Sequence, residues 1–191
     1  MELISASANP HKYTEMVQIL TGVVNLKPRP LNIPEVAEDA DNLEGNARLK
    51  AVAVQSATGC PAVADDTGLE VDALNGAPGV FSARYAGINA TYEDNVQKLL
   101  HEMAEVSESD RTARFRTIAL ISWLDGSETI AEGVVEGRIT FSPSGSRGFG
   151  YDAIFAPLCG DGKTFAEMED AQKNALSHRG KAFCRLKDLI A

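Results

Sequence analysis

Leu3-Ile4-Ser5-Ala6, then Ser7-Ala8-Asn9, then Pro10-His11-Lys12-Tyr13: the chain opens on a short apolar strand, a turn of small residues, and a helix start. Asn9 is a good N-cap and Pro10 suits the first helical position, because its missing N–H costs nothing there. Tyr13, Met16, Val17 and Leu20 then follow at i, i+3, i+4 and i+7, which predicts one buried face of an α-helix. The same alternation continues downstream. A helix is predicted from Leu43 to Ala57, with Asp41 and Glu44 resembling a capping box and Gly59 at the stop. Pro61 to Ala64 reads as a buried strand ending in Asp65-Asp66-Thr67-Gly68, and Leu69-Glu70-Val71 continues it or starts a partner. Thr91 and Asp94 cap a helix to about Met103. Thr112 to Leu124 is the clearest strand, with Phe115, Thr117, Ala119, Ile121 and Trp123 on one face, and Glu128 to Glu136 can pair with it. Gly145 to Asp152 is a glycine-rich loop, and Lys181 to Ile190 closes the chain as an amphipathic helix. Helices and strands alternate, then strands cluster, which points to an α/β protein with a mixed sheet.

The 191 residues include 18 Lys+Arg and 27 Asp+Glu, for a net charge of −9. That balance argues against nucleic acid or an anionic membrane as partner, since either wants a basic face. It leaves room for a small anionic substrate, because a few cations in a cleft set the local field. Cys60, Cys159 and Cys184 are few and widely spaced, which fits free thiols in a reducing compartment. The longest apolar run, around Ile118 to Leu124, is too short to span a bilayer, and no secretory signal is readable. The cytoplasm is the expected location. No phosphate-loop, dinucleotide-fold, serine-hydrolase or zinc-protease motif is present in the sequence.

Four segments carry candidate chemistry. Ser7 to Lys12 leads a strand into a helix N-terminus, where unpaired N–H groups and the helix dipole attract phosphate; the plain alternative is a strand–helix turn with a solvated lysine. Asp65-Asp66 closes an apolar strand, where two carboxylates are costly without a partner. Mg²⁺ is the natural partner, since it takes oxygen ligands and bridges carboxylates to phosphates. Strand alternation lets one of the two face the site, and Asp66, next to the predicted turn, is favoured; the alternative is a pair of turn-forming aspartates. Lys173 and Ser177-His178-Arg179-Gly180 form a cationic set; Ser177 can N-cap the last helix and so place His178 and Arg179 in its first turn, where cations are disfavoured unless an anion sits there, or the segment is an exposed break between helices. Ser146 to Asp152 offers glycines for close approach and aromatics for stacking on a base, or is simply a packed hairpin. Lys50 is a further cation upstream of the aspartates.

Taken in order, these segments resemble one family. The resemblance rests on Ser7-Ala8-Asn9-Pro10-His11-Lys12, on Asn46-Ala47-Arg48-Leu49-Lys50-Ala51, and on the run from Ala64-Asp65-Asp66-Thr67-Gly68 through Gly87. Gly148-Phe149-Gly150-Tyr151-Asp152 and Lys173-Asn174-Ala175-Leu176-Ser177-His178-Arg179-Gly180 complete it. The chain is similar to the inosine triphosphatase (Ham1-like) family, of the bacterial dITP/XTP pyrophosphatase type, over essentially its whole length. The resemblance implies one domain over residues 1–191 with a mixed, twisted central sheet flanked by helices, and two lobes with a cleft between them. It implies Mg²⁺-dependent hydrolysis of non-standard purine nucleoside triphosphates (ITP, dITP, XTP) to the monophosphate and pyrophosphate, by a homodimer. It makes Asp66, Lys50 and Asp65 catalytic and gives the metal to Asp66 and Glu38. It makes Ser7, Ala8, Asn9, Pro10, His11, Lys12, Thr67, Phe149, Gly150, Tyr151, Asp152, Lys173, His178 and Arg179 substrate-binding. Two departures stand out. Gly45 occupies a position where the family usually has Glu, with Glu44 the neighbouring substitute, and the acidic stretch is one residue shorter, so the second metal carboxylate is Glu38 or Asp39. A nucleotide-binding sensor with weak hydrolysis, or a pyrophosphatase for modified pyrimidine nucleotides, are the competing functions.

Overall fold

The structure, a computed structural model, describes all residues from Met1 to Ala191. In chain order it runs β1 (Glu2–Ser5), α1 (Pro10–Leu20), β2 (Asn25–Lys27), α2 (Leu43–Thr58), β3 (Ala62–Val71), β4 (Pro78–Gly79), α3 (Tyr92–Glu102), β5 (Thr112–Ser122), β6 (Glu128–Ile139), β7 (Phe155–Pro157), α4 (Asp170–Leu176) and α5 (His178–Ile190). The strands form one mixed sheet in the order β2-β1-β3-β5-β6-β7, with β4 on β3. This is the α/β fold with helix-flanked mixed sheet that the alternation predicts. β1 pairs in parallel with β2 and β3, while β3–β4 and β6–β7 are antiparallel. No helix is long and apolar enough to cross a membrane.

Local chemistry explains the boundaries. Asn9 Oδ1 accepts from the backbone N–H of His11 and Lys12, and Pro10 starts α1 as its fixed φ favours. α2 is capped by Asn42, whose Oδ1 accepts from Gly45 N at 2.7 Å, so the cap falls one residue after the expected Asp41. Gly59 ends α2 in the left-handed region at φ 65°. Thr91 and Asp94 form a full capping box on α3. β2 and β7, three residues each, lie in stretches to which the sequence assigns no element, since three residues give no alternation to detect. α5 begins at His178, so His178 and Arg179 stand in its first turn as the Ser177 reading places them, three residues before Lys181; Val17 on α1 is exposed although its spacing matches the buried face.

The chain divides into two compact units; three of the four dividing points fall inside the long strands β3, β5 and β6, and the fourth at the start of α5. The first comprises residues 1–66, 117–133 and 179–191; the second comprises 67–116 and 134–178. The first unit packs around Leu3, Met16, Leu20, Val63, Ala119, Ile121, Phe183 and Leu186. The second packs around Leu69, Val96, Leu99, Phe115, Ile154, Phe155 and Phe165. β5 shows the difference between them. Its residues 117–122 are buried on both faces, as sheets covered twice are, whereas Arg114 and Arg116 in the second unit alternate outward between buried Ala113 and Phe115. There Arg114 meets Asp72 and Glu136, and Arg116 meets Glu70, a surface ladder of individually small worth.

Candidate active site

β3 carries the two aspartates, and it does not turn at them. The strand runs unbroken through Asp65-Asp66-Thr67-Gly68 to Val71, so the reading of a turn-forming pair fails and Leu69-Glu70-Val71 is the same strand. β1 ends at Ser5, which is level with Val63, and the chain there swings away through Ala6 to Asn9 into α1. Asp65 and Asp66 therefore lie just past the carboxyl end of a parallel neighbour, where α/β sheets place their ligands.

Alternation along the strand sends the two carboxylates to different partners. Asp65 turns to α1 and α5. Lys12 Nζ lies 3.2 Å from its Oδ2, and Arg179 donates to the same oxygen from Nε at 3.1 Å and Nη2 at 3.0 Å. Arg179 is held from behind by Glu15, whose Oε2 accepts from Nη1 at 2.6 Å. Asp66 turns to α2. Lys50 Nζ donates to its Oδ1 at 2.7 Å, and Asn46 Nδ2 donates to its Oδ2 at 3.4 Å. Lys50 also lies 3.2 Å from Glu38 Oε1. Both aspartates, Lys50 and Arg179 are buried. All of these residues belong to the first unit.

Electrostatics separates the two acids. Burial pushes Asp65 up, but Lys12, Arg179 and Lys50 outweigh it and hold its carboxyl well below the ordinary carboxylate range. Burial raises Asp66 as well, and Glu38 adds to the rise; Lys50 and Lys12 do not cancel it, so Asp66 stays above its ordinary value. Lys50 feels the same burial, yet Asp66, Glu38 and Asp65 together keep its ammonium charged. Lys12 is lowered, chiefly by burial and by its cationic neighbours. Three cations thus face four carboxylates in this patch. A divalent cation would reverse its sign, which suits a polyanion.

The donor set fits such an ion. Glu38 and Asp66 offer hard oxygen ligands around one ammonium, and no third acidic, histidine or cysteine side chain joins them in a metal-binding cluster. Mg²⁺ needs no more, since it keeps waters and shares one or two carboxylates with substrate phosphates. Glu38 is the residue gathered toward Asp66 by Lys50. Glu44 points away: Arg48 takes it at 2.7 Å and clasps Glu128 at 2.8 Å. Gly45 has its own reason. A Cβ there would lie 2.6 Å from the Ala40 Cβ, so the short acidic loop closes onto α2 only over a glycine. Gly45→Glu should therefore lower the urea midpoint, by about 1–3 kcal/mol in stability, the usual cost of overpacking. An unchanged midpoint would show that the 38–41 loop yields freely.

Ser7, Ala8 and Asn9 lie in the β1–α1 turn of the first unit, and Pro10 and His11 open α1; Ser7 Oγ accepts from Asn9 N at 3.2 Å. In the second unit, Asp152 organises Phe149, Gly150 and Tyr151. Its Oδ2 accepts from Phe149 N at 2.7 Å and from Lys173 Nζ at 2.8 Å, and Lys173 stands 4.9 Å over the Phe149 ring. A Cβ on Gly148 would collide with that carboxylate, and its φ of 73° demands glycine besides. Tyr151 donates its hydroxyl to Ser82 O at 2.9 Å. His178 is buried against Phe115, ring centroids 4.5 Å apart, and Thr67 begins this unit on β3. Lys173, His178 and Arg179 are all buried, so the reading of an exposed break between helices fails. Sequence reasoning gave no role to Asn46 or Glu15. The available signal was spacing: Asn46 is four residues before Lys50 and Glu15 three after Lys12, each one turn along the same helical face.

The Ham1 family model matches residues 3–189. The chain is 47% identical over 191 residues to the dITP/XTP pyrophosphatase of Geobacter sulfurreducens, covering 97% of this chain and 94% of that one. It is 42% identical over 187 residues to the dITP/XTP pyrophosphatase of Caulobacter vibrioides, covering 97% and 96%. Among solved structures, it superimposes on a HAM1 protein from Coxiella burnetii with a TM-score of 0.88 at 39% identity, over 99% of this chain and 98% of that one. The Ham1 protein of Staphylococcus aureus gives 0.86 at 37%, over 99% and 97%.

Proposed function

The chain belongs to the Ham1 family, and on that premise we propose how it works. It hydrolyses non-standard purine nucleoside triphosphates, dITP and XTP among them, to the monophosphate and pyrophosphate. The observation that carries the mechanism is the division of labour between two neighbouring buried acids. Asp65 is pinned by Lys12 and Arg179 and kept a poor base. Asp66 is raised and therefore the better base, and acids whose environments drive them apart take different roles. Asp66 orients a water, accepts its proton, and lets the hydroxide attack the α-phosphorus. The bond from α-phosphorus to the bridging oxygen breaks, and pyrophosphate leaves. Lys12 and Lys50 meet the charge growing on the phosphate oxygens, the main source of acceleration in phosphoryl transfer. The N–H groups of His11 and Lys12 are taken by Asn9 Oδ1, so the start of α1 contributes through its dipole and Lys12, not through free backbone donors. A divalent cation, Mg²⁺ in this reading, held by Asp66 and Glu38, supplies further neutralisation of the triphosphate.

Base choice falls to a second set of residues. Inosine and xanthosine carry a 6-oxo group where adenosine has an amine. A site with donors there strands a buried donor against the wrong base. Lys173, the Phe149–Asp152 loop and His178 are assigned to that side. Arg179 is engaged with Asp65 and Glu15, so its first task is to hold the catalytic strand. A homodimer and a cytoplasmic location belong to this reading on the strength of the family resemblance alone.

The test is a panel of ITP, dITP, XTP, GTP, ATP and modified pyrimidine triphosphates, with and without Mg²⁺, resolving pyrophosphate from orthophosphate. Pyrophosphate from the 6-oxo purines ITP, dITP and XTP, only with the metal, is the expected result. Binding without release would make the protein a sensor, and turnover of pyrimidines alone would move the substrate class.

A further inference from the structure

One face of α2 ties two parts of the site together. Asn46 and Lys50 are one turn apart and both reach Asp66, one on each carboxylate oxygen. Asn46 also accepts, through Oδ1, from the backbone N–H of Ala40 at 3.0 Å. The loop carrying Glu38 and the strand carrying Asp66 are thus fastened to the same helix. Between their carboxylates stands the Lys50 ammonium, 2.7 Å from Asp66 and 3.2 Å from Glu38.

We infer that Lys50 is a resident stand-in for the divalent cation, holding the two ligand carboxylates together until a triphosphate draws its ammonium away. This rests on the metal-dependent reading above. Two carboxylates gathered in a part-buried place repel each other and need a counter-charge. A lysine ammonium is a compact charge on a flexible stem, so it can fill that position and leave it. A cation arriving alone must break two ion pairs and strand the lysine. When a triphosphate is present, the released ammonium gains phosphate oxygens as new partners, and the exchange becomes favourable. Asn46 keeps Ala40 and Asp66 fastened while the ammonium moves, so the spacing of the carboxylates survives. The outcome is positive coupling: nucleotide tightens cation binding, and the cation tightens nucleotide binding by the same factor. The protein then loads metal and substrate together and does not hold a bare ion.

Mn²⁺ serves as the probe, with the free ion followed by electron paramagnetic resonance. It is titrated into wild type, Lys50→Met and Lys12→Met, alone and with the non-hydrolysable α,β-methylene analogue of ITP, correcting for Mn²⁺ on free analogue. Without nucleotide, Lys50→Met should bind Mn²⁺ about tenfold more tightly than wild type. Lys12→Met removes the same charge but from Asp65, and should change the affinity no more than about twofold. The analogue should tighten Mn²⁺ on wild type by about tenfold or more, and on Lys50→Met far less. Equal tightening by both variants would mean a general field effect and would overturn the exchange. So would an unaltered affinity in Lys50→Met. The wild-type titration needs no substitution, and absence of coupling there refutes the exchange even if a variant fails to fold. Wild type that takes up no Mn²⁺ even with the analogue sinks the metal reading itself, a separate result. Asp66→Asn in the Lys50→Met background should abolish the tight binding; its persistence would place the ion elsewhere.

Discussion

Asp66→Asn leaves the far-ultraviolet circular dichroism unchanged and cuts kcat on ITP by about 10²–10⁴-fold, the range contributed by one positioned base. The substitution keeps size and shape, and the Asn can still accept from Lys50 through its amide oxygen, so α2 keeps its hold on β3. What it loses is the ability to take a proton and the negative charge that would help hold the divalent cation. KM should rise as well, because the cation that tightens nucleotide binding loses one of its two proposed ligands. Asp65→Asn offers the contrast. Its carboxylate faces Lys12 and Arg179, so its loss should appear in stability as well as in turnover. Near-normal kcat in Asp66→Asn would remove the proton-accepting role and hand it to another group.

Arg179→Met should be the most destabilising of the single changes considered. It keeps an apolar stem in the packed space and deletes the guanidinium that touches Asp65 twice and Glu15 once. Breaking one partner of a buried ion pair costs about 3–5 kcal/mol, and Lys12, still beside Asp65, places the expected loss near about 3 kcal/mol. The pH dependence gives this loss a signature. Asp65 has a depressed folded-state value, so its contribution is full above the unfolded carboxylate value of about 4 and fades as pH falls below it. With Arg179 gone the depression shrinks, and the variant has less to lose on acidification. Urea unfolding from pH 7 downward should therefore show a gap between wild type and variant that stays level until pH falls through the variant's own Asp65 value, which Lys12 and Lys50 still hold down, and that closes below it. A gap that holds constant to the lowest pH at which both proteins still fold would mean that Arg179 stabilises by packing and not through Asp65.

Much of the site was legible before any coordinates. Pro10 after Asn9 fixes the start of α1, Gly59 fixes the end of α2, and the Thr91–Asp94 box fixes α3, because these depend on neighbours within a few residues. The aspartate pair was found as a pair, for adjacent acids at the end of an apolar run are conspicuous. Its setting is not legible from composition. Asp65-Asp66-Thr67-Gly68 has turn composition, yet it stays extended because β3 keeps its place in the sheet, and because Lys12, Arg179 and Lys50 arrive to neutralise what burial would otherwise forbid. Those partners lie 53, 114 and 16 positions away along the chain.

By itself the sequence determined the α/β alternation, the helix caps, and the acidic and basic side chains that assemble on the first unit, since spacing and residue type are local properties. Only the tertiary structure decided that Asp65 belongs to Lys12 and Arg179 while Asp66 belongs to Lys50 and Asn46. It also decided that Gly45 admits a shorter loop, and that Glu38 is the acid drawn toward Asp66. The physical reason is that the proton affinity of a carboxylate is set by burial and by the charges that surround it, and long-range folding brings both.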